Sequence, residues 1–253
     1  MGNASNPVRA VQTTLAVLEA LKELDGAGVT EIATHLGTTK GTVHHHLSTL
    51  ADAGFVVKDE DEYRLGLRFF EFGEFVKNRQ EVLELAKSEV DALAETTGEL
   101  GNLLVEEHGR GIYLYRAEES STLSLDTGAG ARVYLHNTAL GKAILAFLPT
   151  HRVEEILDTH GMPATTRQTI TDRETLYDEL EAVREHEVAF DREERGEGIK
   201  CVAAPIRTND GRVLGAVSVA GPKSRMSGDY YESELPKQVR DVASVISINA
   251  SYS

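Results

Sequence analysis

The sequence contains one cysteine, no tryptophan and no long hydrophobic run. The single cysteine, Cys201, excludes an intramolecular disulfide and a cysteine-rich zinc module. The longest apolar run, from Ala143 to Leu148, is far shorter than the roughly 18–20 residues that span a bilayer. Residues 1–10 also lack the apolar core of a signal peptide. We therefore expect a cytoplasmic protein without a membrane segment.

Positive charge is also scarce. The 26 lysines and arginines face 41 aspartates and glutamates, which gives a net charge of −15, and nine of the basic residues are lysines. The acidic residues are spread along the chain, a balance typical of the hydrated surfaces of proteins from salt-loving microbes. With 253 residues, 41% of them hydrophobic, the chain is typical of a globular protein of one large or two smaller domains. Any indication of nucleic-acid binding must come from the residue pattern.

Two helices are predicted between Val8 and Gly37. Apolar residues recur at helical spacing up to Leu24 and predict one inward face, made of Val11, Leu15, Leu18, Leu21 and Leu24. Asp25-Gly26 ends this helix. Thr30 is a candidate N-cap for a second helix, which Gly37 ends in a left-handed conformation. Its inward residues are Ile32, Ala33 and Leu36.

A third helix and a hairpin follow. Thr38 or Thr39 opens the helix, Ala53-Gly54 ends it, and its apolar stripe consists of Val43, Leu47 and Leu50. Residues 55–58 and 63–65 predict two strands around the charged turn 59–62. Three helices followed by a hairpin predict a winged helix-turn-helix over residues 8–66.

Residues 67–85 again show helical spacing, with charged residues between apolar positions at Leu67, Phe70, Phe75, Val82 and Leu85. One interpretation is an amphipathic helix packed on its own domain. The other, which we favour, is a linker helix over residues 67–80 that joins two domains and helps the chain to dimerise.

Residues 81–253 mix helix and strand signals and predict a second domain with mostly antiparallel strands. The helical signals of the preceding segment continue to residue 97. Further helices are expected at 139–148, 153–157, 174–186 and 230–252, and strands at 102–107, 111–118, 122–125, 188–191, 199–206 and 212–220. The last two strands are apolar and flank the turn Asn209-Asp210-Gly211, so they should pair at the centre of a sheet. The fold class of the whole chain is therefore α+β.

The exposed face of the third helix is the candidate DNA-reading surface. The second helix of a helix-turn-helix lies in the major groove, where lysine and threonine contact phosphates and base edges. With its apolar stripe turned inward, the third helix presents Thr39, Lys40, Thr42, His44 and His45. Lys58 and Arg64 flank the acidic tip of the wing and should reach backbone phosphates from its base.

The charge of this module leaves an alternative open. Residues 1–70 contain six basic and nine acidic residues, whereas DNA-binding domains usually show a basic footprint. A winged helix can instead bind a protein partner. The triplet His44-His45-His46 does not predict a metal site, because consecutive helical residues point about 100° apart and cannot converge on one ion.

The sequence contains no convincing catalytic, metal or cofactor motif. Gly141-Lys142 lacks the other residues of a phosphate loop, and Gly128-Ala129-Gly130 is too short for a dinucleotide fingerprint. Cys201, His186 and Asp191 could form a nucleophilic triad, but a thiol within an apolar strand is usually protonated and inert. His136 and Asp191 lack a third metal ligand at useful spacing. We expect neither enzymatic activity nor a cofactor.

Three stretches of the chain carry a family resemblance. The segment VTEIATHLGTTKGTVHHHLSTLADAGFVVKDEDEYRLGLRFFEFG resembles the N-terminal half of the IclR family of transcription regulators. HNTALGKAILAFL and EGIKCVAAPIRTNDGRVLGAVSVAGPKSR resemble the two signature stretches of that family's effector domain. The similarity extends from about Val8 to the last helix, in the expected order and spacing.

The resemblance implies a winged-helix DNA-binding domain, a linker helix and a GAF-like α/β effector domain over residues 81–253. It also implies homodimers or tetramers that bind palindromic double-stranded operators. Such proteins repress or activate catabolic genes in response to a small effector, often an organic acid or a sugar derivative. Sensing of a metabolite with a protein partner for the winged helix remains the alternative.

The resemblance also assigns an effector pocket. It places backbone amides at the helix start Ala139-Leu140-Gly141, where unpaired N–H groups and the helix dipole suit a carboxylate. The polar positions are Asp191, Cys201 and Ser218, and the apolar walls are Leu125, Val133 and Ile199. Ala220 stands where relatives that bind small oxoacids carry a second serine, so a larger or less polar effector becomes plausible. Strand alternation puts Cys201 on one face of its strand and Ser218 with Ala220 on one face of the neighbouring strand.

Overall fold

The computed structural model describes residues 6–118 and 128–252, which fall into two compact units. The first unit extends to Val76 and the second begins at Lys77. This boundary lies inside the segment 67–80 that we predicted as a linker. No helix of the described residues is long and apolar enough to cross a membrane.

From residue 6 onward, the first unit contains four helices and a small antiparallel sheet with strand order β1-β3-β2. The elements are α1 (Arg9–Glu23), β1 (Ala27–Gly28), α2 (Val29–His35), α3 (Lys40–Asp52), β2 (Val56–Asp59), β3 (Glu62–Leu65) and α4 (Arg68–Lys77). The predicted winged helix-turn-helix is confirmed, and β1 adds a third strand that the sequence did not predict. The turn between β2 and β3 is shorter than expected, since Asp59 pairs directly with Glu62.

The inward face predicted for α1 is confirmed at Leu18, Leu21 and Leu24, which lie in the core or against it, and is wrong at Val11 and Leu15. Its buried residues are Val17, Ala20 and Leu21, whereas Val11 is 55% and Leu15 57% exposed. The small core of this unit receives the C-terminal half of α1 only, so the apolar residues near the start of the helix form a second, exposed face.

The N-cap predicted for the second helix is also wrong. Helix α2 begins two residues earlier, at Val29, after Gly28 as N-cap. Gly28 is fixed in extended conformation by its pairing with Glu62, so the helix starts directly behind the strand. Thr30 lies in the first turn, where its carbonyl accepts a hydrogen bond from the hydroxyl of Thr34. Gly37 ends the element with a positive φ of 61°, as predicted.

The helical segment predicted from Leu67 to Leu85 is divided into two helices, α4 and a following α5, with a break at residues 78–80. The described part of α4 buries none of its residues, and Leu67, just before it, is 89% exposed. Phe69 and Phe72 contact Phe55, with ring centroids 5.0 and 5.4 Å apart. These contacts attach the start of α4 to its own unit, and the linker role of residues 67–80 stays a prediction.

In its described residues, the second unit is a six-stranded antiparallel sheet with helices on both faces. The sheet order is β6-β5-β4-β9-β8-β7. The elements are α5 (Glu81–Thr97), β4 (Leu100–Glu107), β5 (Arg110–Ala117), β6 (Arg132–Val133), α6 (Ala139–Leu145), α7 (Thr150–His160), α8 (Arg173–His186), β7 (Ala189–Arg192), β8 (Ile199–Arg207), β9 (Val213–Pro222) and α9 (Leu235–Tyr252). The predicted antiparallel pairing of β8 with β9 is confirmed. The strand predicted at 122–125 lies outside the described residues.

Several helix ends differ from the prediction, and α7, predicted at 153–157, is three residues longer at each end. Helix α6 stops at Leu145, three residues short of the expected end, and the last helix is preceded by a π-helical turn at Tyr230–Glu234.

The side chains of β8 and β9 alternate between the two faces of the sheet and divide the core into two parts. Cys201 and Ala220 face α6, α7 and α8, whereas Val202 and Val219 face α5 and α9.

Candidate functional site

The outer face of α3 carries the predicted DNA-reading residues. Thr39 is the N-cap of the helix and accepts a hydrogen bond from the backbone N–H of Thr42 at 3.2 Å. Lys40, His44 and His45 are exposed, because Val43 and Leu47 are turned fully into the core. Of the histidine triplet, the partly buried His46 bonds through Nδ1 to the hydroxyl of Thr14 at 2.8 Å.

This face is free of negative charge although the module as a whole is acidic. Between Lys40 and Leu50, α3 contains no aspartate or glutamate, and its first acidic residue is Asp52 in the last turn. A phosphate approaching the N-terminal half of α3 therefore meets Lys40 and the positive end of the helix dipole. The charge on the outer face of α3 therefore favours DNA, although the net charge of the whole module is negative.

The wing residues are exposed, as a phosphate contact requires, but they have partners of their own. The ammonium of Lys58 lies 5.7 Å from the centroid of the Tyr63 ring. Arg64 pairs with Glu62 at 3.4 Å, with both side chains more than half exposed. Exposed pairs of this kind contribute little and can be exchanged for a phosphate at small cost.

A cavity of about 160 Å³ lies between the sheet and the start of α6. Its wall contains Leu100, Asn102, Tyr113, Thr138, Ala139, Leu140, Asp191, Arg195, Gly196, Ile199, Cys201 and Ala220. The sequence placed six of these in an effector pocket: Ala139, Leu140, Asp191, Ile199, Cys201 and Ala220. Cys201 and Ala220 are direct partners across β8 and β9, which brings both side chains to the cavity.

Three predicted pocket residues do not line this cavity. Val133 is buried in the core beside Gly111. The amide of Gly141 is taken by the hydroxyl of Thr138 at 2.9 Å, and its Cα is pressed against Leu135, where an added Cβ would lie 2.2 Å from the carbonyl oxygen. Ser218 is fully buried in β9. A fourth, Leu125, lies outside the described residues.

Asn102 is a polar residue of the cavity wall that was not predicted from the sequence. Its Nδ2 donates to the carbonyl of Leu100 and to Ser218 Oγ, both at 3.3 Å. Its Oδ1 is buried and, among the described residues, has no hydrogen-bond partner. Asn102 reaches the cavity wall because β4 pairs with β9, where Asn102 lies opposite Ser218. The two residues are 116 positions apart in the sequence, so no local pattern indicates that they are neighbours.

Asp191 forms the polar corner of the cavity. It is 4% exposed, and its Oδ1 accepts the backbone N–H of Glu194 at 2.7 Å. Burial and the neighbouring carboxylate of Glu194 raise the pKa of Asp191 to about 7. At neutral pH this carboxyl is divided between its protonated and ionised forms.

A buried ion cluster lies behind Asp191. The ammonium of Lys142, which is fully buried, contacts Glu194 at 2.6 Å and Glu179 at 3.0 Å. Glu194 Oε2 is buried and has no hydrogen-bond partner among the described residues. The ammonium is therefore the principal charge that compensates a buried carboxylate next to the cavity.

The candidate nucleophile Cys201 lies in surroundings that keep its thiol protonated. Burial, and to a smaller extent the neighbouring Asp191 carboxyl, raise the pKa of the Cys201 thiol to about 12. His186 is two-thirds exposed at the end of α8. His136 Nε2 bonds to the carbonyl of Pro163 at 3.2 Å, and the described residues contain no cluster of three metal-ligating side chains.

Asp191→Asn should stabilise the protein at pH 8 and not at pH 4. Below pH 4 the carboxyl is protonated in both the folded and the unfolded chain, so its ionisation does not change the free energy of unfolding. Between pH 4 and 7 the unfolded chain ionises while the folded chain keeps its proton, and the wild type loses stability. Melting curves at the two pH values measure the difference. Asp210→Asn is the control. Hydrogen bonding lowers the pKa of Asp210, so this substitution should destabilise the protein at pH 8.

Comparison with known proteins gives a consistent assignment of both units. The family model described as the IclR helix-turn-helix domain matches residues 10–60, and that of the C-terminal part of the bacterial transcriptional regulator IclR matches residues 75–248. The chain is 32% identical over 245 residues to a probable HTH-type transcriptional regulator, ArcR, of Halobacterium salinarum, covering 95% of this chain and 93% of the relative.

Two further comparisons agree. The HTH-type transcriptional repressor AllR of Escherichia coli is 29% identical over 247 residues, which cover 96% of this chain and 91% of AllR. The crystal structure of IclR from Thermotoga maritima is similar with a TM-score of 0.78 at 28% identity, covering 96% of this chain and 98% of that structure.

Proposed function

This chain belongs to the IclR family of transcription regulators, and we propose how its residues carry out that role. It is a DNA-binding regulator of catabolic genes under the control of a small-molecule effector, and not an enzyme. The family assignment favours DNA over a protein as the partner of the winged helix.

The outer face of α3 enters the major groove in this proposal. Lys40 and Thr42 contact bases and phosphates near the start of the helix, with His44 and His45 one turn further along. Lys58 and Arg64 contact the backbone from the base of the wing. The observation that carries the proposal is the carboxylate-free outer face of α3 on an otherwise acidic module.

The regulator acts as a homodimer or tetramer on a palindromic operator. Exposed apolar side chains of the first unit support self-association: Val8, Val11, Leu15, Leu67, Phe70, Phe75 and Val76. Large apolar side chains that are exposed in numbers are typical of interaction surfaces. Residues 67–80 act as the linker between the DNA-binding part at 8–66 and the effector-binding part at 81–253.

The effector occupies the cavity at the start of α6. Its carboxylate faces the amides of Ala139 and Leu140, which belong to the first turn of the helix and have no acceptor within it. Ligand binding favours one spacing of the two recognition helices in the dimer over another, and this preference is the coupling energy between the two sites.

Asp191→Asn and Ser218→Ala should each blunt the response to effector while leaving DNA binding intact. Asp191 lines the cavity, and Ser218 holds the amide of Asn102. The measurement is a gel shift on the chain's own upstream DNA, with and without sugar acids, oxoacids and aromatic acids. Loss of DNA binding with the effector response retained would reverse the assignment of the two units.

A further inference from the structure

Tyr231 joins the cavity wall to the last helix of the effector-binding unit. It is fully buried, and its hydroxyl donates towards two backbone carbonyls, that of Asp191 at 3.2 Å and that of Cys201 at 3.4 Å. Asp191 and Cys201 are direct partners across β7 and β8, and both line the cavity. One buried hydroxyl is therefore shared by the backbones of two strands at the point where they form the cavity wall.

The hydroxyl reaches these strands from the side of the sheet opposite to the cavity. Tyr231 belongs to the core that contains α5 and α9, whereas Cys201 belongs to the core beside α6, α7 and α8. Ala220 lies next to Cys201 in β9 and continues the row of cavity residues. A close-packed core transmits displacements, so anything that fills the cavity and moves this row also shifts the two carbonyls against the hydroxyl.

Tyr231 stands in a turn that has two discrete arrangements available. In the π-helical turn Tyr230–Glu234 the N–H of Leu235 donates to the carbonyl of Tyr230, five residues back. Pro236 accounts for this wide turn, because it has no backbone N–H and its ring crowds the carbonyl of residue 232. The π-helical and α-helical arrangements differ in hydrogen-bond register by one residue, and π-helical turns are found often at functional sites.

The chain before this turn is held in place. Arg225 donates through Nε and Nη2 to the carboxylate of Glu99 at 2.5 and 2.7 Å, and Glu99 is almost fully buried. Met226 is fully buried as well. The preceding loop therefore cannot absorb a displacement of Tyr231, which is passed on to α9 directly behind the turn.

Helix α9 packs on α5, the helix that follows the predicted linker. The two helices share a core that contains Val82 and Ala86 of α5 and Val239 and Ala243 of α9. Along the chain, α5 is joined to α4 through residues 78–80. A change at Tyr231 thus reaches, through packed side chains, the element at which the linker ends.

We propose that Tyr231 is the positioning residue that couples the filling of the cavity to DNA binding, and that its hydroxyl transmits the state of β7 and β8 to α9 and α5. This inference rests on the proposed function, in which the cavity is the effector site. It adds the contact through which that site acts, and it does not depend on which effector binds.

The test fills the cavity by mutation, so that no effector has to be known. Ala220→Leu places a larger apolar side chain in the row beside Cys201, and Ala220→Val does so with less added volume should the leucine variant not fold. The change in affinity for the upstream DNA, measured by fluorescence anisotropy with the full chain, is compared in three backgrounds: unmodified, Tyr231→Phe and Tyr230→Phe. The last is the matched control, since it removes a hydroxyl from a half-buried tyrosine of the same turn.

Filling the cavity should change the dissociation constant by about fivefold or more in the unmodified and Tyr230→Phe chains, as is typical of coupled sites, and by less than about twofold in Tyr231→Phe. A merely structural role of the hydroxyl would lower the melting temperature and leave the effect of filling the cavity unaltered. An equal change in all three backgrounds, or no change in any of them, would overturn the proposal. Failure of the unmodified chain to bind the upstream DNA would instead contradict the proposed function on which the inference rests.

Discussion

In the Lys142→Met variant we expect the melting temperature of the effector-binding unit to fall by roughly 6–20 °C. Removing one partner of a buried ion pair costs about 3–5 kcal/mol, and each kcal/mol lowers the midpoint by about 2–4 °C in a domain of this size. Methionine fills much of the space of the lysine stem but leaves Glu194 with no compensating charge. Lys142 is fully buried and Glu194 almost so, so water cannot supply the missing contacts.

Two further variants separate charge from packing. Lys223→Met removes an exposed ammonium that pairs with Glu193 at 2.5 Å, and it should cost no more than about 1 kcal/mol. Glu194→Gln added to Lys142→Met should recover part of the lost stability, because the unpaired charge is then gone. Differential scanning calorimetry of all four proteins gives the comparison. A loss in Lys142→Met no larger than in Lys223→Met would show that the buried cluster does not stabilise the fold.

The sequence predicted a helix well where the helix has a single apolar face and that face is buried in the core of its own unit. In α3 the stripe of Val43, Leu47 and Leu50 is buried as expected, and Thr39 caps the helix. In α1 the same kind of evidence failed, because the helix has a second apolar face at Val11 and Leu15 that its own unit does not cover. Helical spacing shows that a face exists and cannot show what covers it.

The cavity was only partly predictable for a related reason. Strand alternation placed Cys201 and Ala220 correctly, since the two strands are joined by a short turn that fixes their register. Asn102 depends on the pairing of β4 with β9, and Arg195 depends on an irregular loop between β7 and β8. No local pattern encodes either placement, and only the folded chain brings these polar groups to one wall.

Lys40→Ala combined with Thr42→Ala should weaken binding to the upstream DNA by about 100-fold. Each well-placed side-chain contact to a base contributes about 1–3 kcal/mol, and 1.4 kcal/mol corresponds to a factor of ten. The helix should still form, because Thr39 keeps its hydrogen bond to the backbone N–H of residue 42. Without Lys40, the slope of the logarithm of the binding constant against the logarithm of the salt concentration should also become shallower by about one.

The salt dependence of the unmodified chain should itself be shallow. Few basic residues face the DNA in this proposal, so few counterions are released on binding. Such a complex would keep its affinity in concentrated salt. Strong binding at low salt that collapses at physiological salt would argue against this description of the interface.

The decisive measurement is a fluorescence anisotropy titration of the labelled upstream DNA with three proteins. These are the unmodified chain, Lys40→Ala/Thr42→Ala, and the matched control Lys22→Ala/Thr13→Ala, which removes one lysine and one threonine from α1. We predict that the α3 variant loses about 100-fold in affinity while the α1 control binds as the unmodified chain does. Three equal dissociation constants would contradict the claim that the outer face of α3 reads the DNA.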